Sequence, residues 1–483
     1  MENKDLKSIF MDSFSGLDEK LVKETEQAPR LLRKRRDGAV LIAFVCSLAL
    51  ILGISITAGQ RRPAPDPVVK EESASQPEFA RENTEESTES SFKIVDLAAM
   101  YEQQQLFKTA EWITQRVAPQ VPYGQFAEKL FAAWLGEAGN RALSPYSIYD
   151  FLSMLAYCSS DNAKAELLEV LGCQNLAELT EVTDSVLRFL ALPYNHVEIL
   201  HTGHSLWLKE GAAFNETKIA AIRDAFDAEI YRVDFSAPET AGQVDSWILE
   251  KTDRLIQTNH ADRFAEDGDQ YTALLLQSLY YQGNFISNKE CGFIDFHKDG
   301  AVKNVPSLGI WEIVPCFDDG QLLAVQINVG EVGTLSLLMP KEGHTLSELD
   351  PVRAYELLCG KGDFSLCDAD VRVPFFDVET QTGLDSLLGE IGVGHALKPG
   401  AIAALYRDPG SELAEKSFVQ VEHGSHVILN EDGIRGAAYT EGITYGGWPD
   451  FRERTVLSFD RPFLFMISLG DGCPLFWGQI DCP

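Results

Sequence analysis

Positively charged residues are scarce in this sequence. Its 483 residues include 41 Lys and Arg against 73 Asp and Glu, which gives a net charge of -32 at pH 7. Because nucleic-acid phosphates are bound by clustered lysine and arginine side chains, this balance argues against a nucleic-acid partner. It favours a soluble exterior that repels other acidic surfaces.

Cysteines are few as well. The chain has nine, and a domain of this length can bury its own core without a disulfide framework. The eight cysteines other than Cys46 show no C-x-x-C pair and no zinc-like spacing, so no metal site is predicted. Cys473 and Cys482 flank a predicted hairpin. Two interpretations stay open for them, a disulfide or two buried thiols.

Motifs for catalysis and for cofactor binding are missing. Neither Ser144 nor Ser147 lies in a G-x-S-x-G sequence, and no cofactor loop is recognisable. His201 and His204 have the look of a metal-binding pair, but on a strand they would face opposite sides, so we expect loop or surface histidines. The sequence therefore predicts no catalytic residues, no cofactor and no metal.

A long hydrophobic run occurs near the N-terminus. Ala39 to Gly59 is a stretch of 21 uncharged, mostly apolar residues, which as a helix with a rise of about 1.5 Å per residue spans roughly the 30 Å of a bilayer core. Basic residues before the run outnumber those after it, so the N-terminus should stay in the cytoplasm and the rest should be exported. A cleaved signal peptide is the less favoured alternative, because the preceding region is too long and no clear cleavage site follows.

The domain organisation follows from these shifts in composition. Residues 1–38 form a cytoplasmic segment and residues 39–59 a transmembrane helix. Residues 60–92 are rich in proline and then in Glu, Ser and Thr, and have too little hydrophobicity to repay the entropy of ordering, so they should form a disordered tether. Residues 93–119 are a helical lead-in, and the globular domain covers residues 120–483.

Hydrophobic periodicity in the globular domain predicts an α+β fold. Phe126, Leu130 and Trp134 recur at helical spacing, and Ser144 followed by Pro145 is typical of a helix start. Further helices are predicted over 162–171, 216–228, 241–258 and 383–391, and strands over 204–209, 271–282, 322–328, 334–339, 371–378, 426–429 and 461–467. Helices that precede most of the strands favour large, mostly antiparallel sheets.

One stretch near the C-terminus carries a family resemblance. Leu429-Asn-Glu-Asp-Gly-Ile-Arg-Gly-Ala-Ala-Tyr-Thr440 opens an irregular segment that ends before Phe459-Asp-Arg-Pro-Phe-Leu-Phe465, and a loop this long is usually functional. The two sequences resemble the hinge and the distal anchor of the reactive-centre loop of serpins. Further sequences similar to serpin signatures follow the family's order: Leu143-Ser-Pro-Tyr-Ser-Ile148, Ala165-Glu-Leu-Leu-Glu-Val-Leu-Gly172, Val233-Asp-Phe235, Ser246-Trp-Ile-Leu-Glu-Lys-Thr252 and Leu338-Met-Pro-Lys-Glu-Gly343.

The resemblance implies the serpin fold, with about eight or nine helices and an exposed loop, and a suicide-substrate inhibitor of a serine or cysteine protease. In that mechanism a protease cleaves the loop, and the loop's N-terminal side enters the large sheet before the acyl-enzyme hydrolyses. The implied hinge residues are Glu431, Gly433, Ile434, Gly436, Ala437 and Ala438. The implied shutter, a buried polar cluster where the sheet must part, comprises Ser144, Ser147 and His423.

The residue pattern of the loop permits such insertion. Side chains of a strand alternate between its two faces. Counted from Ile434, one face would carry only small or apolar uncharged side chains, namely Ile434, Gly436, Ala438, Thr440, Gly442 and Thr444.

The scissile bond stays open. Counting forward from Gly433 places it at Gly447-Trp448, and counting back from Phe459 places it near Phe451-Arg452. Arg452 or Arg454 would attract a trypsin-like protease, and Tyr445 or Phe451 a chymotrypsin-like one.

Three departures from the family pattern keep a second hypothesis open. The first inserted position is Ile434 rather than a small hydroxylated residue. Phe375 replaces the lysine that pairs with the hinge glutamate, and Gln277 to Phe285 departs from the usual strand sequence. The alternative is a non-inhibitory, serpin-fold binding protein whose loop is cleaved as a substrate.

Overall fold

Helix α1 (Val117–Trp134) opens the part of the chain that the computed structural model describes, which comprises residues 117–190, 198–285, 287–330, 333–431, 433–435, 454–470 and 473–483. Phe126, Leu130 and Trp134 are all buried along α1, which confirms the predicted stripe. Of the helical lead-in, only residues 117–119 belong to the described chain.

The next two helices match the signals in the sequence, α2 at its start and α3 at its end. In α2 (Pro145–Cys158) the Ser144 hydroxyl oxygen accepts a hydrogen bond from the Ser147 backbone N–H at 3.1 Å, as an N-cap does. Helix α3 (Asp161–Val170) ends before Gly172, whose φ of +72° suits the glycine of a helix C-terminus.

Seven further α-helices follow in the described residues, and the one predicted over 241–258 ends early. They are α4 (Leu176–Leu190), α5 (Glu216–Phe226), α6 (Pro238–Lys251), α7 (Ala261–Asp267), α8 (Pro351–Leu358), α9 (Asp385–Glu390) and α10 (Glu412–Lys416). After α6, Asp253 and Arg254 adopt positive φ values of +48° and +65°, which break the helix. Residues 252–260 therefore form an irregular linker to α7.

The larger sheet has nine strands in the described residues. Its strands run in the order β1, β15, β14, β8, β7, β6, β9, β13, and β5 pairs with β6 at the side. Their bounds are β1 (Arg141–Leu143), β5 (Asn288–Lys298), β6 (Ala301–Asp318), β7 (Leu322–Val329), β8 (Gly333–Pro340), β9 (Ser365–Pro374), β13 (Thr455–Ser458), β14 (Phe463–Leu469) and β15 (Cys473–Ile480). Only β9 and β13 pair in parallel among them.

The second sheet has six strands in the described residues, in the order β10, β11, β12, β4, β2, β3. Their bounds are β2 (Glu198–Lys209), β3 (Glu229–Val233), β4 (Ala273–Gly283), β10 (Phe376–Gly383), β11 (Glu422–Asn430) and β12 (Gly433–Arg435). All the pairs are antiparallel except β2 with β3. The two sheets and the helices confirm the α+β class.

The prediction of a single strand over 371–378 is wrong. The chain forms β9 and β10 instead, and they belong to different sheets, with Phe375 between them. Pro374 lacks the backbone N–H that a continuous strand would need at this position.

The structure has a disulfide that the sequence did not indicate. Cys316 of β6 and Cys367 of β9 form a disulfide, with Cα atoms 6.3 Å apart. Cys473 is a buried free thiol and Cys482 an exposed one. The disulfide interpretation is wrong for this pair. Cys473 and Cys482 lie at opposite ends of β15, roughly 25 Å apart at about 3.3 Å per residue.

The hydrophobic core has two parts. The large one contains residues of α1, α2 and both sheets and includes Phe131 and Trp477, whose ring centroids are 5.3 Å apart. The small one lies between α6 and the outer face of the six-stranded sheet and includes Trp207, Phe235 and Trp247. Every helix in the described residues is too short or too polar to cross a bilayer, and the predicted span Ala39 to Gly59 lies outside that part of the chain.

Candidate functional site

Strand β12 lies in the middle of the six-stranded sheet. Ile434 pairs with Leu429 of β11 on one side and with Gly283 of β4 on the other. Arg435 likewise pairs with Ile428 and with Gln282. The first residues of the predicted hinge therefore already form a strand between two longer ones.

The neighbours of β12 extend well beyond it. β11 has nine residues and β4 has eleven, whereas β12 has three. In the described residues β11 and β4 are joined only through β12, and no ladder links them to each other directly. Two strands that share a middle neighbour are separated by about 9.6 Å, twice the usual ladder spacing. In the described residues, β12 thus occupies only the first three positions of a strand between two longer neighbours.

Gly433 is required where β12 begins. Its φ is +141°, and a Cβ atom built on it would lie 2.5 Å from the Gly283 carbonyl oxygen, so a side chain fits neither the backbone conformation nor the space. Ile434 follows with no exposed surface and packs in the large core. The large residue at the first inserted position therefore fits this sheet.

Glu431 lies exposed where β11 gives way to β12. Its backbone carbonyl accepts a hydrogen bond from the Lys289 ammonium group at 2.6 Å. Phe375, which stands where the family has a lysine, is half-buried against the core. The hinge is thus fastened to β5 through its main chain.

Ser144 and His423, two predicted shutter residues, are in contact. The Ser144 backbone N–H donates to His423 Nε2 at 3.1 Å, and the Ser144 hydroxyl donates to the Leu475 carbonyl oxygen at 2.7 Å. Burial lowers the pKa of His423 to about 4, so its imidazole is neutral at pH 7 and accepts at Nε2. Ser147 joins the cluster through its backbone N–H. Since the Ser144 hydroxyl is directed at a carbonyl and not at the imidazole, this is not a nucleophile and its base.

A buried carboxylate lies further along α2, and it was not predicted from the sequence. Asp150 of α2 has no exposed surface, and its Oδ2 atom lies 2.6 Å from His204 Nε2 of β2. The Gln277 side-chain amide of β4 donates to the same oxygen at 3.3 Å. Helix α2 and the adjacent strands β2 and β4 are thus linked by one carboxylate.

His204 is therefore not the surface histidine that was expected. It is 5% exposed, whereas His201 is exposed, so the two do face opposite sides of β2. The missed signal was Asp150 itself, an acidic residue between the inward-facing Ile148, Phe151 and Leu152 of a helix with few polar positions. Such a carboxylate needs a buried partner.

The linker of residues 252–260 crosses the outer face of the sheet. At its start, the Lys251 side chain packs over Gly203 of β2. Further on, the Leu255 carbonyl accepts a hydrogen bond from His426 Nδ1 of β11 at 3.1 Å. Because β4 and β12 lie between β2 and β11, the linker passes in front of the place where β12 would be extended.

Arg454, a predicted scissile candidate, lies against the nine-stranded sheet. Its Nε donates to Asp368 Oδ1 at 3.0 Å, and its guanidinium carbon lies 5.6 Å from the ring centroid of Trp311. The Arg454 side chain is 19% exposed. The other loop candidates Gly436, Ala437, Ala438, Gly447, Trp448, Phe451 and Arg452 lie outside the described residues.

Comparison with known proteins identifies the family behind this geometry. Residues 123–483 match the family model described as Serpin (serine protease inhibitor). The chain belongs to the serpin family. The expected serpin fold, with its two large sheets, is thereby confirmed.

Similar serpins occur in distant organisms. Alaserpin of Manduca sexta is 26% identical over 385 residues, which cover 74% of this chain and 92% of that protein. Alpha-1-antiproteinase of Ovis aries is 24% identical over 385 residues, which cover 76% of this chain and 88% of that one. Serpins are typically protease inhibitors, so a protease is the expected class of partner.

Solved serpin structures share the fold. The structure of Serpin48 from Tenebrio molitor aligns with a TM-score of 0.63 at 18% identity, over 76% of this chain and 98% of that one. Thyroxine-binding globulin in complex with thyroxine aligns with a TM-score of 0.60 at 18% identity, over 75% of this chain and 98% of that one. At these identities the likeness concerns the fold alone.

Proposed function

We propose that this serpin is a suicide-substrate inhibitor of a serine or cysteine protease. The protease cleaves the loop and is held as a covalent acyl-enzyme while the loop's N-terminal side enters the six-stranded sheet. The observation that carries the proposal is β12, which already occupies the start of a strand position between β11 and β4.

Continuing the register of β12 supports the same conclusion. Ile434 pairs with Leu429 and Gly283, so each later loop residue would pair with one residue earlier on both neighbours. Thr440 would then lie between His423 and Gln277, beside the buried polar cluster. The alternate positions from Ile434 to Thr444 are small or apolar, as the core-facing side of a central strand requires.

We also propose that the inhibitory domain acts outside the cell on a membrane anchor. The 21-residue apolar run from Ala39 to Gly59 is long enough to span a bilayer. The basic residues before it favour a cytoplasmic N-terminus, and the acidic tether would give the domain reach. An inhibitor placed in this way would act on proteases that approach the cell surface.

Covalent complex formation tests the inhibitory function. The full chain in detergent is incubated with trypsin, chymotrypsin, subtilisin and papain, and the products are run on denaturing gels. We expect at least one protease to give a band at the mass of the protease plus the chain up to the cut, because the ester or thioester bond survives denaturation. The C-terminal fragment is released by the cut and separates on the gel. The same protease with its nucleophile chemically blocked serves as the control and should give no such band.

Cleavage without a covalent complex is the opposite outcome. If the loop is cut by these proteases and no high-mass band forms, the chain is a substrate, and the non-inhibitory binding protein is the better description. Thermal unfolding of the cleaved chain adds a second measurement. Insertion of a complete strand should raise Tm by more than 10 °C or so, since each 1 kcal/mol shifts Tm by several degrees.

A further inference from the structure

Arg454 fastens the C-terminal end of the loop. Arg454 combines a charge-assisted hydrogen bond to Asp368, at 3.0 Å, with a position over the face of Trp311. Asp368 lies on β9 and Trp311 on the adjacent β6. Cation–π contacts and charged hydrogen bonds are stronger where water is partly excluded, and the Arg454 side chain is mostly buried here.

The chain beyond Arg454 is held less firmly by its side chains. β13 begins at Thr455 and pairs with β9 on one side, Thr455 beside Ala369 and Ser458 beside Arg372. Thr455 and Val456 are exposed. The next fully buried side chain is Phe459, whose backbone N–H donates to the Arg372 carbonyl at 2.9 Å. A four-residue edge strand of this kind needs a fixed point at each end.

We propose that Arg454, Asp368 and Trp311 form a clamp that positions the C-terminal end of the reactive loop and excludes Arg454 from protease recognition. This clamp rests on the proposed function, since it assigns a positioning role within the proposed loop. A protease binds its substrate as an accessible, extended segment on both sides of the scissile bond. The clamp keeps the Arg454 side chain out of reach of a protease, and pairing in β13 does the same for the residues that follow.

The clamp narrows the specificity of the inhibitor. Of the two arginines that suit a trypsin-like protease, Arg454 serves to hold the loop, and Arg452 is left as the candidate for recognition. The cleavable part of the loop thus ends before Arg454. This assignment concerns which bond is accessible and is independent of whether the cleaved loop then traps the enzyme.

Mapping of tryptic cleavage tests the clamp. The full chain and its Asp368→Asn variant are treated with trypsin for short times, and the new termini are identified by mass spectrometry. Asp368→Asn keeps Arg454 but removes the charge that holds it. Asp370→Asn is the matched control, because Asp370 lies two residues along the same strand and accepts its hydrogen bonds from Arg372.

In the unaltered chain and in Asp370→Asn, we expect no early cut between Arg454 and Thr455. In Asp368→Asn the rate of cutting at that bond should rise about fivefold or more, since a weakened local contact opens more often. Trp311→Leu should act in the same direction. Equal Tm values for the variants would show that the fold is retained.

Two results would overturn the clamp. One is early cleavage after Arg454 in the unaltered chain, and the other is the same cleavage map for Asp368→Asn as for Asp370→Asn. Neither result depends on a high-mass band. The cleavage map tests the clamp and the denaturing gel tests protease trapping, so the two failures can be distinguished.

Discussion

The protonation of a single histidine links the stability of this serpin to pH. The pKa of His423 falls to about 4 on burial, against about 6.5 in an unfolded chain. Between these values the unfolded chain binds more protons than the folded one, so stability is full above about pH 6.5 and is lost as the pH falls towards 4.

Replacing His423 should remove this dependence. Between pH 7.5 and pH 5 we expect the unaltered chain to lose about 2 kcal/mol more unfolding free energy than His423→Gln, which has no titratable group at this position. Denaturant unfolding at the two pH values measures the difference. The same loss of stability in both proteins would show that His423 is not the group responsible.

Asp150 and His204 should behave as a buried pair. Asp150→Ala leaves the buried His204 ring nitrogen without its hydrogen-bond partner, and a buried polar group left unpaired costs about 1–3 kcal/mol. Asp150→Asn keeps a hydrogen-bond acceptor and should cost less.

An exposed carboxylate provides the control for this pair. Asp161 of α3 contacts Lys164 at the surface, and Asp161→Ala should change stability by less than about 0.5 kcal/mol. Denaturant unfolding of the three variants gives the comparison. A cost for Asp150→Ala as small as that for Asp161→Ala would contradict the buried pair.

Individual residues could be predicted where their sequence signal lies within a few neighbouring positions. Ser144 and Pro145 specify a helix start within a few residues, and the structure has it there. Asp150 and His204 are 54 residues apart in sequence, and nothing near either residue indicates its partner. A buried hydrogen bond between side chains of distant elements is a property of the folded chain alone.

Among the elements, β12 offers the sharpest test. Gly433→Ala places a Cβ atom 2.5 Å from the Gly283 carbonyl oxygen and forces an L-residue to a φ of +141°. Strain of this kind costs about 1–3 kcal/mol, so β12 should no longer stay in the sheet. We expect about tenfold less covalent complex per cleaved chain, measured on the same gels.

Gly242→Ala provides the comparison for that variant. Gly242 lies in α6, and a Cβ atom there has no neighbour within 4 Å, so complex formation should stay unchanged. If both glycine variants trap the protease equally well, the entry of β12 into the sheet is not needed for inhibition.

Element boundaries were harder to predict than the elements themselves. The helix predicted over 241–258 ends at Lys251, because Leu255 and Ile256 lie over β11 instead of continuing the helical stripe. Hydrophobic periodicity indicates which residues are buried, but it does not indicate which element they pack against. The two strands around Phe375 were merged for the same reason.

For the molecule as a whole, the membrane anchor is a separate prediction. The full chain should sediment with membranes, and deletion of residues 39–59 should release it, because the apolar run supplies the insertion free energy. Fractionation by ultracentrifugation followed by immunoblotting measures this. Deletion of residues 60–92 is the control, and that shorter chain should stay with the membrane. Recovery of the full chain in the supernatant would refute the anchor.

The sequence predicted the class and the family but not the arrangement of the sheet. Short serpin-like signatures in order were enough for the fold, since each is a local pattern. The placing of β12 between β11 and β4 depends on strands about 150 residues apart in sequence, Gly283 and Ile434 being one pair. Pairing at such distances is decided by the competition between whole strands.

The linker of residues 252–260 has a kinetic consequence. It lies in front of the space between β11 and β4, so a strand can fill that space only while the linker is lifted from β11. After each cleavage, this local unfolding would compete kinetically with hydrolysis of the acyl-enzyme. How often the linker opens would decide whether a protease is captured or set free.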